Sequence, residues 1–112
     1  SKINFDTRNY IFTKPLKFSQ SLALQKGARA IITDSGGIQK EAYWLSVPCI
    51  TLRDSTEWIE TVRSKWNHLV GTSYDLVLMQ STDPKVPKKH PNYYGIGNSA
   101  AKMVNIISAF LK

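Results

Sequence analysis

Two short runs of β-forming residues in this chain show no alternation: "ARAIIT" at 28–33 and "PCITL" at 48–52. A strand with one wet face alternates apolar and polar residues, whereas a strand buried on both faces reads as a continuous apolar stretch. Such strands are typically parallel and covered by helices, and parallel neighbours need a long crossover between them. The chain supplies one in "GIQKEAYWL" (37–45), which sets Ile38, Ala42 and Leu45 on a single helical stripe. The expected class is α/β: a parallel sheet flanked by helices in three layers, joined by right-handed crossovers.

The remaining segments extend this alternation. "NYIFT" (9–13) reads as a strand stopped by Pro15, and "KFSQSLALQK" (17–26) as a helix with Gly27 as its stop. "STEWIETVRSK" (55–65) reads as a short helix, "HLVG" (68–71) as a fourth strand and "SYDLVLMQS" (73–81) as a further helix. "NSAAKMVNIISAFLK" (98–112) closes the chain with an amphipathic pattern that turns Ala100, Val104, Ile107 and Leu111 inward. At 112 residues the whole makes a single domain at most, or a piece of one.

In an open α/β sheet, ligands bind beyond the carboxyl ends of the strands. That rim is expected to carry residues 13–17, 34–37, 53–57 and 71–73. The "DSGG" turn, Asp34 to Gly37, joins a strand to a helix. A helix N-terminus leaves backbone N–H groups unpaired and carries partial positive charge, so it attracts phosphate. Gly36 and Gly37 let an oxygen atom approach the backbone, while Ser35 adds a hydroxyl donor or simply caps the helix. About one turn on, Glu41 offers a carboxylate that could accept from two vicinal hydroxyls. "RDSTEWIE" (53–60) follows the next strand to the same rim. Arg53 suits an anion, and Ser55 or Thr56 can cap the next helix with Glu57 close by.

Composition narrows the partners. The formal charge of +7 suits an anion, either nucleic acid or a phosphorylated metabolite. Only "KVPKKHP" (85–91) is densely basic, and its prolines make it a loop. The aromatic residues do not interleave with Lys and Arg as an RNA-stacking surface would, so no nucleic-acid partner is expected. Cys49, the single cysteine, sits in an apolar run as a small core residue. His68 and His90 show no metal-ligand spacing with it, so no metal is expected. With no run approaching the ~18 apolar residues of a membrane span and no signal-peptide core at the start, a cytoplasmic protein without membrane attachment is expected.

The order of motifs is more specific than any one of them. "TDSGGIQKEAYWLSVPCITLRDSTEWIETV", then "WNHLVGT", then "YYGIGNSAAKMV" closely resembles the C-terminal part of UDP-N-acetylglucosamine 2-epimerases, over about residues 9–111. "PLKF" (15–18) likewise resembles that family's Pro-Leu-x-[Tyr/Phe] element at the nucleotide site, which brings in Pro15 and Phe18. The resemblance implies a Rossmann-like half of a glycosyltransferase-B type fold, in which the C-terminal half grips UDP. It places Ser35, Gly36 and Gly37 on the diphosphate and Glu41 on the ribose hydroxyls, with Arg53, Thr56 and Glu57, beside Asp34, supporting the site. The implied reaction inverts C2 of the sugar: a proton leaves C2 as UDP is eliminated, and both return to the resulting glycal. It needs no redox cofactor.

Two substitutions depart from the pattern: Trp58 stands where much of the family has Arg, and Ile96 where an acidic or polar residue is usual. The family's N-terminal domain, which supplies most of the acid/base carboxylates, has no counterpart in these residues. The chain therefore reads as a UDP-binding fragment of one partial domain, with no catalytic residue of its own and inactive alone. Its expected ligand is UDP or a UDP-aminosugar, and the family's tendency to pair suggests a homodimer of the full-length protein. Two other readings stand beside it. One is the C-terminal domain of a UDP-sugar glycosyltransferase, which "DSGG…RDSTEW" disfavours; the other is a standalone nucleotide-binding module that pairs with a separate N-terminal half.

Overall fold

The computed structural model of the chain describes residues 10–93. They form, in order, α1 (Phe18–Gly27), β1 (Ile31–Thr33), α2 (Gly36–Trp44), β2 (Cys49–Thr51), α3 (Ile59–Arg63), β3 (Asn67–Leu69) and α4 (Tyr74–Thr82). The strands pair in parallel in the order β1-β2-β3. Ile31, Cys49 and Asn67 lie in one row across the sheet, Ile32, Ile50 and His68 in the next, and Thr33, Thr51 and Leu69 in the last. Because side chains alternate along a strand, the first and third rows share a face. Two crossovers advancing in the same direction put α2 and α3 on one side of the sheet.

β2 is buried at every position, so both faces of the central strand are covered, and α4 packs against it. The apolar centre between α1, α2 and β1 is built on Leu22, Leu45 and Val47, with Ala28, Ile31 and Trp44 against them. Cys49 is 1% exposed, and burial pushes its thiol up to about 11. It is the inert core residue that its apolar neighbours suggested. No helix among the described residues is long and apolar enough to cross a membrane.

Several expectations change in detail. Residues 10–13 form no strand; Tyr10, Ile11 and Phe12 are exposed there, and none of the three described strands pairs with them. β1, expected to be buried on both faces, is the edge of the described sheet, and Ile32 is 47% exposed. Its apolar run reports what a strand could bury; its place at the edge decides what it does bury. The helix expected over 55–65 is only α3, because Thr56 Oγ1 accepts from Trp58 N–H at 3.1 Å and bends 55–58 into a turn instead. On α2, Ala42 and Leu45 are buried as expected, but so are Gln39 and Tyr43, which shifts the inward stripe toward a polar residue. The expected helix at 98–112 and Ile96 lie outside the described residues.

Candidate functional site

The end of β1 hands the chain to α2 in three residues. Ser35 N–H donates to Thr33 Oγ1 at 3.0 Å, and Ser35 Oγ accepts from Ile38 N–H at 3.4 Å, so Ser35 is the cap of α2. Capping satisfies one first-turn N–H; those of Gly36 and Gly37 belong to the set that an α-helix leaves without an intrahelical partner. The two glycines differ in their surroundings. A side chain at Gly37 would meet only Ser35 Oγ, at 3.9 Å, so this position is open. A side chain at Gly36 would collide with the carboxylate of Glu57. Glu57 is exposed and its carboxylate can move aside, so the contact records how closely the 53–58 loop approaches α2 rather than a strict need for glycine.

Ladder bonds beyond the strands bring that loop to the rim: Leu52 N–H donates to Thr33 O at 2.8 Å, and Gly71 N–H to Arg53 O at 3.1 Å. Three of the four expected rim segments, 34–37, 53–57 and 71–73, are therefore assembled side by side. Arg53 Nη1 lies 3.6 Å from Glu57 Oε2, a half-exposed pair beside the α2 N-terminus. Asp34 is exposed at the turn. The Trp58 indole donates to Gly36 O at 2.8 Å, and Lys40 Nζ sits over the Trp58 and Trp44 rings at 4.9 and 4.6 Å. Where the resemblance expects an arginine, this chain therefore has an indole fastening the loop to α2.

Glu41 lies further along α2 and is half-buried, with Oε1 accepting from Gln25 Nε2 of α1 at 2.9 Å. Of the fourth rim segment and its neighbour, Pro15 is exposed ahead of α1, and Phe18, the first residue of α1, is 55% exposed. Among the described residues no group of three or more His, Cys, Asp or Glu could hold a metal. A cavity of about 240 Å³ opens beside the loop, lined by Ser55, Thr56, Ile59, Val62 and Leu69.

A larger concavity of about 460 Å³ lies at the other end of β3, between Arg63–Lys65 and residues 87–93. It is remote from the α2 N-terminus. The basic loop beside it is held in place, because Trp66 Nε1 donates to Lys89 O at 2.9 Å and the His90 ring stacks on Tyr43 at 4.2 Å. Trp66 and His90 thus act in packing.

Sequence reasoning missed Gln39 and Asn67. Both are fully buried polar residues, and they join α2, the 53–58 loop and β3. The available signal was Gln39 itself, a polar residue three before Ala42 on the inward stripe of α2.

Comparison with known proteins identifies the family. Residues 2–108 match the UDP-N-acetylglucosamine 2-epimerase family. The chain is 42% identical, over 105 residues, to a UDP-N-acetylglucosamine 2-epimerase homolog of Methanococcus maripaludis, covering 93% of this chain and 29% of that protein. The crystal structure of the Methanocaldococcus jannaschii UDP-GlcNAc 2-epimerase in complex with UDP-GlcNAc and UDP superposes with a TM-score of 0.68 at 40% identity, covering 87% of this chain and 27% of that one. The Neisseria meningitidis enzyme bound to UDP-GlcNAc gives a TM-score of 0.64 at 30% identity, covering 87% and 28%. The chain thus spans under a third of the length of these relatives. Its covered parallel sheet is a portion of their glycosyltransferase-B type fold. The chain belongs to the UDP-N-acetylglucosamine 2-epimerase family.

Proposed function

We propose that these residues are the UDP-gripping portion of a UDP-N-acetylglucosamine 2-epimerase, which interconverts UDP-GlcNAc and UDP-ManNAc. The observation that carries the reading is the capped α2 N-terminus, with Gly37 open and Arg53 alongside, at the carboxyl end of a parallel sheet. One relative whose structure holds UDP-GlcNAc and UDP, at 40% identity, and another that holds UDP-GlcNAc, at 30%, support it. In this reading the N–H groups of Gly36 and Gly37 and the Ser35 hydroxyl meet the diphosphate. Glu57 swings from Gly36 toward Arg53 as the phosphate arrives, and Asp34 and Thr56 shape the turn around them. Gln25 holds Glu41 Oε1, and Oε2 faces the two ribose hydroxyls. Pro15 and Phe18 close over the uracil side.

Epimerisation removes the C2 proton, breaks the C1–O bond so that UDP departs with the electron pair, and then returns UDP to C1 with its original configuration and a proton to the opposite face of C2. The grip described here serves the leaving group: donors fixed before the reaction stabilise charge growing on the diphosphate without reorganising. Proton transfer at C2 needs a base within hydrogen-bond reach. We assign it to other parts of the longer relatives, so this chain alone binds without turning over. The full-length protein works in the cytoplasm, where nucleotide sugars are made, and pairs as a homodimer.

Titration with UDP by calorimetry and ¹H–¹⁵N NMR tests the reading. The expected result is a Kd on the order of 1 mM, with the largest shifts at Ser35, Gly36 and Gly37, weakened about tenfold by Glu41→Ala. No heat and no shift at several millimolar UDP would overturn it, and turnover of UDP-GlcNAc by the 112 residues would overturn the division of labour.

A further inference from the structure

The 53–58 loop is fastened by a closed circuit of side-chain hydrogen bonds that begins and ends on Trp58. Its backbone N–H donates to Thr56 Oγ1 at 3.1 Å, and the Thr56 hydroxyl donates to Gln39 Oε1 at 2.6 Å. Gln39 Oε1 also accepts from Asn67 Nδ2 at 3.0 Å, and Asn67 Nδ2 gives its other proton to Thr61 Oγ1 at 3.1 Å. Thr61 Oγ1 returns a proton to Trp58 O at 2.6 Å. Asn67 Oδ1 is engaged by the Thr51 hydroxyl of the central strand.

The direction of the circuit is forced. Thr61 spends its only proton on Trp58 O, so it can meet Asn67 only as an acceptor, which fixes the Asn67 amide with nitrogen toward Thr61 and oxygen toward Thr51. An aspartate has no donor for these places, and a serine has too few. Asn67, Gln39, Thr51 and Thr61 are each 1% exposed or less, so the bonds form away from water, where an unmade one is costly.

We propose that Asn67 is a positioning residue for nucleotide binding. Through Gln39 and Thr56 on one side and Thr61 on the other, it holds both backbone groups of Trp58, and so seats the Trp58 indole on Gly36 and sets Arg53 and Glu57 beside the α2 N-terminus. It touches no ligand. The proposal rests on the UDP reading for its consequence, but its structural half stands independently. It also accounts for an asparagine in "WNHLVG", a motif to which the resemblance attaches no role.

The decisive variant is Thr56→Val, which keeps the shape of the residue and removes the hydroxyl at a half-buried position where folding should survive; Thr56→Ser restores the hydroxyl, and Asn67→Leu cuts the circuit at its centre. Two measurements are made on each: hydrogen exchange at the three tryptophan indoles, and UDP titration. Exchange at the Trp58 indole should rise at least tenfold in Thr56→Val while Trp66, bonded to Lys89 O elsewhere, stays at the parent rate. UDP affinity should fall about tenfold with it, and both should recover in Thr56→Ser. Unchanged exchange at Trp58, or an equal rise at Trp58 and Trp66, would overturn the positioning role. A parent chain that ignores UDP would overturn the nucleotide reading alone, since the indole exchange still decides whether the circuit seats the loop.

Discussion

Gly71 ends the third strand's extension at the rim, and replacing it by alanine tests whether the rim is held by backbone geometry. Its φ is +58°, in the left-handed region that residues with a Cβ avoid. Its N–H is bonded to Arg53 O, and Val70 N–H is bonded to Thr51 O, so the backbone is not free to rotate away. The left-handed conformation costs an alanine about 1–2 kcal/mol. The smaller conformational freedom of alanine in the unfolded chain returns about 0.4–1 kcal/mol. A Cβ at 71 would also lie 2.5 Å from Asp54 Oδ1. Asp54 is exposed, so its carboxylate can move into water at small cost.

The balance is a loss of about 1 kcal/mol, which lowers Tm by about 4–8 °C in a domain of this size. Urea denaturation followed by tryptophan fluorescence measures it, with Gly27→Ala as the control. Gly27 ends α1 with nothing within 4 Å of a built Cβ, so alanine there should be neutral or stabilising by up to ~1 kcal/mol. Combining Gly71→Ala with Asp54→Ala separates strain from contact: strain predicts that the double variant stays well below Asp54→Ala. A Gly71→Ala chain as stable as the parent, or a double variant matching Asp54→Ala, would refute the backbone account.

Two further expectations follow from buried groups. Cys49 holds its proton to about pH 11 when folded, against an ordinary value of 9.0. Between those values the unfolded chain has released a proton that the native chain keeps, so stability falls as pH rises, by up to ~1.4 kcal/mol per unit from this group. Urea midpoints of the parent and Cys49→Val should agree at pH 7.5 and diverge above pH 9; parallel curves would contradict the burial of the thiol. Trp66→Phe removes the donor to Lys89 O, so trypsin should cut after Lys88 or Lys89 several-fold faster than in the parent, with little change elsewhere. An unchanged cleavage rate would show that the contacts of Tyr43 with His90 and Pro91 suffice to hold the loop.

Much of the fold was legible because its signals are local. Unalternating runs marked β1 and β2, and the polar hand-over after "AIIT" marked the start of α2 at the residue where Ser35 caps it. The expected helix over 73–81 starts at Ser73, which the structure shows capping α4 through Leu76 N–H. The errors fall where neighbours decide. "NYIFT" has strand composition, but composition supplies no partner. "STEWIETVRSK" has helical composition, but Thr56 bonds Trp58 N–H and shortens the helix to five residues.

By itself, then, the sequence determined the alternation of strands and helices, the capped glycine turn and the order of motifs that marks the family. Only the tertiary structure decided that β1 is an edge, that Glu57 lies over Gly36, and that Gln39 and Asn67 fasten the loop. Capping and strand propensity act over a few residues, so they leave a trace in a short window of sequence. The bonds from Thr56 to Gln39, Trp58 to Gly36 and Asn67 to Gln39 span 17, 22 and 28 residues. They exist only because the parallel register brings α2, the 53–58 loop and β3 together on one side of the sheet.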